Sequence, residues 1–496
     1  MRRPSRLLLA TILAACTTAE PRLPASAPVA AEASGGAEAV AISGTEEPRI
    51  EAPIVEEPAL EGRRVFATEG FEEIRKAPSR KAPMVGLFRA GQSLVLKTGE
   101  PVTGDTPCAG GWYAVEPFGF VCVGPRSTLD TASARLRGRV ALLPDVQADL
   151  PYSPAVSLGS PRYRRVPTVD EQREAEPDRD KRRAVPTGWV GTLDDRAAGH
   201  SMPPGLEGLF SPRASRPSMP DSAAAGARFV FARSFDAADR AWLVTPEGAL
   251  VPRDRALLRE APARASIALE GDVKLPLAFV RPRGAALLGE QEGKLVPTEG
   301  RVAARTFLTV RDERARGTSG HAVELSDGRI VKGRDVSVFR PRRRPTAVGE
   351  HERWVAVSVS EGTLVTYEGD RPVRALAMSA GAGGANGERF GTPIGGFRVA
   401  WKMVTSDMSG NDQGVPWRVA HVPWVAYYQE GYAVHGAWWH DGFGEPRSHG
   451  CLNLTPADAR ELFGWMDPQL PAGWYAVAAD FPWSGGRLGT YIDVGL

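Results

Sequence analysis

Glycine and proline cut this chain into short pieces. The 496 residues hold 54 Gly and 42 Pro, and the apolar runs between them are brief. Where those runs show a period it is two, as in Trp354-Val355-Ala356-Val357-Ser358-Val359. Both residues are costly inside helices, and both serve turns. The pattern therefore predicts a mainly β chain with turn-rich connections, not helical bundles. The chain is too long for one ordinary core, so two to four domains are expected. No apolar run approaches the roughly 18–20 residues of a membrane-spanning helix. A formal net charge of +2 gives no global field for nucleic acid, and no nucleic-acid partner is expected.

The N-terminus reads as an export signal. Arg2, Arg3 and Arg6 precede an apolar run from Leu7 to Ala15, followed by Cys16. Leu13-Ala14-Ala15-Cys16 resembles the lipobox of bacterial lipoproteins. That resemblance implies a signal peptide over 1–16, with Cys16 as the lipidated residue and a lipid anchor in the membrane. The alternative is an ordinary signal peptide with Cys16 incidental. Thr17 stands where an Asp would imply inner-membrane retention, so the expectation is an outer-membrane lipoprotein on the periplasmic face of the envelope. Residues 17–61, rich in Ala, Pro, Glu and Ser, cannot bury a core and read as a tether. Such a tether spans roughly 35–40 Å as a coil and roughly 150 Å stretched.

Residues 62–126 carry strand-like runs such as Ser93-Leu94-Val95-Leu96, Trp112-Tyr113-Ala114-Val115 and Gly119-Phe120-Val121-Cys122. They resemble the Src-homology-3-like modules of bacterial envelope proteins, which implies a small barrel serving as wall binder or spacer. Cys108 and Cys122 lie 14 residues apart in this segment, so a local disulfide is expected in an oxidising compartment. Residues 127–345 read as one or two further β-rich modules with long loops. The basic run Arg340-Pro341-Arg342-Arg343-Arg344-Pro345 reads as a solvated linker. A C-terminal domain over 349–480 opens with a hairpin signal at Trp354 to Tyr367. It holds one helix signal, Thr455 to Met466, with Thr455 as N-cap and Pro456 in the first turn. Residues 481–496 are a C-terminal tail.

Pairing Cys108 with Cys122 leaves Cys451 as an odd thiol, and an odd thiol in an exported chain is a liability or a reactive group. Four of seven histidines (His421, His435, His440, His449) fall within 29 residues beside it. Cysteine attack on an amide needs a thiolate, a base and donors for the developing oxyanion. His435 ends a strand-like run and precedes Gly436, which suits a base held firmly yet open on one side. Gly450 lets the backbone turn before Cys451. His435, His440, His449 and Cys451 are also zinc-ligand types, but no Cys-x-x-Cys, His-x-x-x-His or His-Glu-x-x-His spacing is present. No metal or cofactor is expected.

At Tyr432-Ala433-Val434-His435-Gly436 and Ser448-His449-Gly450-Cys451-Leu452-Asn453 the chain resembles the YkuD-type L,D-transpeptidase catalytic domain. Gly391-Thr392-Pro393-Ile394-Gly395-Gly396-Phe397 resembles a turn of the same family, and the likeness covers about 350–480. The resemblance implies Cys451 as nucleophile and His435 as general base and acid. Gly436 would orient the imidazole through its carbonyl. Ser448 belongs to the signature, and His449, Gly450 and Cys451 would shape the oxyanion site through backbone N–H groups. It further implies peptidoglycan stem peptides as donor and acceptor, with cross-linking through a cysteine acyl-enzyme. Two alternatives stay open. One is transfer to water, to a free D-amino acid or to a protein on the same fold; the other is a non-catalytic wall-binding lipoprotein. Trp438, Trp439 and Tyr427 read either as groove lining or as core.

Overall fold

The computed structural model describes residues 63–479 and 488–496, apart from 182–183, 188–190, 193–199, 211–223, 316–320, 387–388 and 413–414. Cys16, the signal segment and the tether lie outside the described residues. The architecture is mainly β.

We number the strands of the C-terminal domain from its first. They are β1 (Arg353–Ser358), β2 (Thr363–Glu368), β3 (Arg371–Ala377), β4 (Gly395–Arg398), β5 (Trp401–Asp412), β6 (Val415–Gln429), β7 (Tyr432–Gly436), β8 (Leu452–Leu454), β9 (Ala476–Ala478) and β10 (Tyr491–Gly495). One sheet runs β3-β2-β1-β10-β4, and the other runs β8-β7-β6-β5-β9. The period-two pattern of β1 sorts its side chains between two cores. Val355 and Val357 enter the core between the sheets with Val434, Leu452, Leu454 and Tyr475. Trp354 and Ala356 face the opposite way, toward Leu277, Phe279 and Phe339. Helix α1 (Pro456–Trp465) packs on the first core through Ala459, Leu462 and Phe463. The Thr455 hydroxyl accepts from Asp458 N, as its N-cap position predicts. Beyond the helix, buried Lys402 of β5 donates to the Met466 and Pro468 carbonyls at 2.6 and 2.9 Å.

Among the described residues no barrel closes in the N-terminal module. Arg64–Ala67 sits between Ser93–Val95 and Ser127–Thr128 in one small sheet, while Met84–Arg89 pairs Phe71–Arg75 in another. The free edge of Met84–Arg89 is taken by β9, with Gly86 opposite Val477 and Leu87 opposite Ala476. Gly86 makes this possible, because a Cβ there would meet the Trp474 ring at 2.1 Å. The second catalytic-domain sheet thus continues into the N-terminal module as nine strands. A disulfide joins Cys108 and Cys122, Cα–Cα 5.7 Å.

The middle region forms a seven-stranded sheet over Leu277–Val280 to Val336–Phe339 and two three-stranded sheets. Ser266–Ala268 crosses to pair with β3 as a sixth strand of the first sheet. Two short helices, Ala134–Val140 and Val169–Ala175, were not anticipated. The second carries a full capping box between Thr168 and Glu171, a signal that was present in the sequence. The basic run is not a free hinge. Arg340 pairs with Glu313 and Glu361, Arg344 pairs with Asp370, and Arg342 N donates to the Tyr367 hydroxyl. Carboxylates on both flanking modules hold it down.

Candidate active site

Parallel pairing of β7 with β8 builds the site. Val434 lies opposite Leu452, His435 opposite Asn453 and Gly436 opposite Leu454. Cys451 therefore falls beside Ala433, whose backbone N–H reaches its Sγ at 3.4 Å. Alternation decides which way each side chain points. Val434, Leu452 and Leu454 enter the inter-sheet core, while Ala433 and Cys451 join the cluster on the other face. His435, two residues from Ala433, shares that face with Cys451. Cys451 is fully buried beside Ala433.

The imidazole of His435 is held in one tautomer. Its Nδ1–H donates to the Gly436 carbonyl at 3.1 Å, which leaves Nε2 as the lone-pair nitrogen. Nε2 has no hydrogen-bond partner among the described residues. The side chain is fully buried, and burial pushes its pKa down to about 4 against the opposing pull of the Gly436 carbonyl. A Cβ on Gly436 would meet Pro423 and Pro456 at 3.0–3.2 Å, so this end of the strand is tightly enclosed.

Gly450 and Ser448 fix the turn before Cys451. Gly450 has φ +122°, a conformation that side chains rarely adopt, and a Cβ there would meet the Tyr432 ring at 2.5 Å and the Gly391 carbonyl at 2.7 Å. The Ser448 hydroxyl accepts from Gly450 N at 3.0 Å and donates to the Cys451 carbonyl at 2.5 Å. This corrects one expectation. The Gly450 N–H is engaged by Ser448 and does not point at an incoming oxyanion. Thr392 adds a second clamp, accepting from Gly381 N at 2.8 Å and donating to the Gly450 carbonyl at 2.9 Å. The sequence placed Thr392 in a turn motif but gave no sign of this contact, which crosses 58 residues.

The four clustered histidines separate. His449 lies between the Phe390 ring, edge-on at 3.9 Å, and the Trp417 ring, stacked at 5.5 Å. His440 Nδ1 accepts from Gly442 N at 3.3 Å. The Asn453 side-chain amide nitrogen lies 3.0 Å from its Nε2. Burial, followed by the charge of Arg447, pushes the His440 pKa down to about 3. His421 lies elsewhere, against Glu247 and Thr405. Trp438, Trp439 and Tyr427 are buried in the cluster with Cys451, which is the core reading. Among the described residues no group of three or more His, Cys, Asp or Glu side chains is placed to hold a metal ion.

Residues 352–477 match the family model of the L,D-transpeptidase catalytic domain, YkuD. This part of the chain is an L,D-transpeptidase catalytic domain. Three solved structures similar to parts of this chain are described as L,D-transpeptidases. An L,D-transpeptidase from Xylanimonas cellulosilytica is 25% identical over 31% of this chain and 64% of its own, with a TM-score of 0.20. The catalytic domain of the E. faecium L,D-transpeptidase is 20% identical over 29% of this chain and 98% of its own, TM-score 0.22. The Mycobacterium smegmatis L,D-transpeptidase is 15% identical over 49% and 90%, TM-score 0.22. This chain thus spans about two thirds of the Xylanimonas chain and nearly all of the other two. No curated protein matches it.

Proposed function

We propose that the transpeptidase domain cross-links peptidoglycan stem peptides through a thioester on Cys451. The observation that carries this reading is the disposition of His435. Its Nδ1–H is fixed on the Gly436 carbonyl, and its Nε2, without a hydrogen-bond partner among the described residues, shares a sheet face with Cys451.

In the reduced protein the Cys451 thiol passes its proton to His435 Nε2, and the thiolate attacks the carbonyl carbon of the amide after the third stem residue. The Ala433 N–H beside the sulfur favours the anion. The tetrahedral oxyanion collapses, the C–N bond breaks, and the imidazolium returns the proton to the departing amine of the terminal D-amino acid. An amine on a second stem then attacks the thioester, His435 takes its proton, and the restored thiol leaves with a new amide formed. Nothing in these steps needs a metal or an organic cofactor.

The N-terminal sequence supports an exported protein anchored by lipid at Cys16, on the periplasmic face of the outer membrane, with residues 17–61 giving reach toward the wall. Mass spectrometry of purified muropeptides incubated with the reduced full chain tests the acceptor. Dimers linked through two third-position residues are expected. Trimmed tripeptides alone, or exchange of the terminal residue alone, would assign water or a free D-amino acid as acceptor instead.

A further inference from the structure

A cavity of about 520 Å³ lies where the three regions of the chain meet. Leu87 and Arg89 come from the N-terminal module, Pro246 and Glu247 from the middle region, and Met403 and Tyr427 from β5 and β6. Its volume falls within the range of small-molecule sites. The floor is buried, with Arg89, Thr405, Tyr427 and His421 each under a tenth exposed. Phe71, Glu247 and Arg418 stand at the solvent side, 36%, 60% and 67% exposed.

Arg89 is the unusual member. A buried guanidinium is costly unless an anion meets it, and no carboxylate touches it here among the described residues. Its Nη1 lies 3.3 Å from the Tyr475 hydroxyl and 3.4 Å from His421 Nδ1, and its Nη2 lies 3.3 Å from the Pro246 carbonyl. None of the three partners is a carboxylate, all three contacts exceed ordinary hydrogen-bond length, and five N–H donors are available. The rings of Phe71, Tyr152 and Tyr475 surround the guanidinium carbon at 5.5–5.8 Å. The nearby carboxylates are used elsewhere. Glu247 meets His421 Nε2 at 2.5 Å, and Asp407 receives His421 N and the Arg418 guanidinium. The Arg89 guanidinium thus stands at the floor with no carboxylate in contact among the described residues, beside the apolar side chains of Leu87 and Met403.

We propose that this cavity is a second ligand site, taking a small molecule with one carboxylate on a mostly apolar body. The carboxylate meets Arg89, and the body lies against Leu87, Trp401 and Met403. Trp401, Met403 and Tyr427 pack in the same face cluster as Cys451, so an occupant rests on the sheet that carries the nucleophile. The proposal does not depend on the reaction assigned to Cys451. Two sources share the required chemistry, the C-terminus of a short peptide and a medium-chain fatty acid.

Calorimetric titration of the full-length Cys451→Ala protein tests it without turnover. The probes are N-acetyl-D-alanyl-D-phenylalanine and decanoate, each beside its neutral amide. At least one acid should bind ten-fold or more tighter than its amide, and Arg89→Met should remove that preference. Binding by the peptide acid alone assigns the peptide source; binding by decanoate alone assigns the fatty acid. Acid and amide binding equally, or no binding by either acid, overturns the proposal. Should Arg89→Met fail to fold, the acid–amide comparison on the unaltered cavity still decides. A folded Arg89→Met that keeps the acid preference also overturns it.

Discussion

His435 lies directly opposite Asn453 across the parallel pair β7 and β8, and that register sets Cys451 two residues earlier on the same sheet face. His435 therefore sits within a paired strand, and Cys451 in the turn that leads directly into one. His435→Ala should lower the rate of Cys451 acylation by roughly 100-fold or more. His421→Ala, at a different junction, should lower it far less. Stopped-flow acylation of the reduced protein decides, and a His421 variant as slow as the His435 variant would show that the base is misassigned.

Thr392→Val keeps the shape and removes the hydroxyl that joins Gly381 N to the Gly450 carbonyl. Two buried polar groups then lose their partner, at a cost of about 1–3 kcal/mol. Urea melts should show that loss, and acylation should slow because the turn before Cys451 loosens. A variant with unchanged stability and rate would remove Thr392 from the account.

Much of the site was legible because its signals are local. The strand before His435, the glycine after it and the turn around Gly450 all lie in short stretches of sequence. The Thr392 clamp and the His440–Asn453 bond were not legible, since each depends on chain brought from elsewhere by folding. The same reason defeated the closed barrel. Several of its strands were legible, but Met84–Arg89 was not among the runs the sequence offered, and its pairing with β9 depends on Trp474 and Val477, far along the chain. The basic run was misread as a free linker because Glu313, Glu361 and Asp370 become its neighbours only in the fold.

Two buried histidines make stability depend on pH. Burial holds His435 near pKa 4 and His440 near 3, both below the ordinary value of 6.5. As pH falls below 6.5 the unfolded chain takes up protons that the folded chain refuses. Their contribution is therefore complete above about 6.5 and is lost as pH falls, toward 4 for His435 and toward 3 for His440, by about 1.4 kcal/mol per pH unit per histidine. Urea midpoints at pH 7.5, 6.0 and 5.0 should fall accordingly, and His440→Gln should give a shallower slope. An identical slope in that variant would contradict the assignment.

The Cys108–Cys122 disulfide closes a loop of 14 residues' separation, and a loop of that size contributes on the order of 3 kcal/mol. Because Met84–Arg89 is hydrogen-bonded to β9, the N-terminal module and the catalytic domain share a sheet. Replacing both cysteines by Ser should lower one common unfolding transition in calorimetry. Two separated transitions, with the catalytic one unmoved, would show that the shared sheet does not couple them.

The central claim is that reduced Cys451 carries the stem peptide as a thioester. Intact-protein mass spectrometry of the reduced full chain, quenched in acid after mixing with a tetrapeptide stem, tests it most directly. The account predicts a mass gain equal to the stem less its terminal D-amino acid, mapped by peptide digestion to Cys451 and absent from Cys451→Ala. Turnover without that adduct, or an adduct and activity that survive in Cys451→Ala, would contradict it.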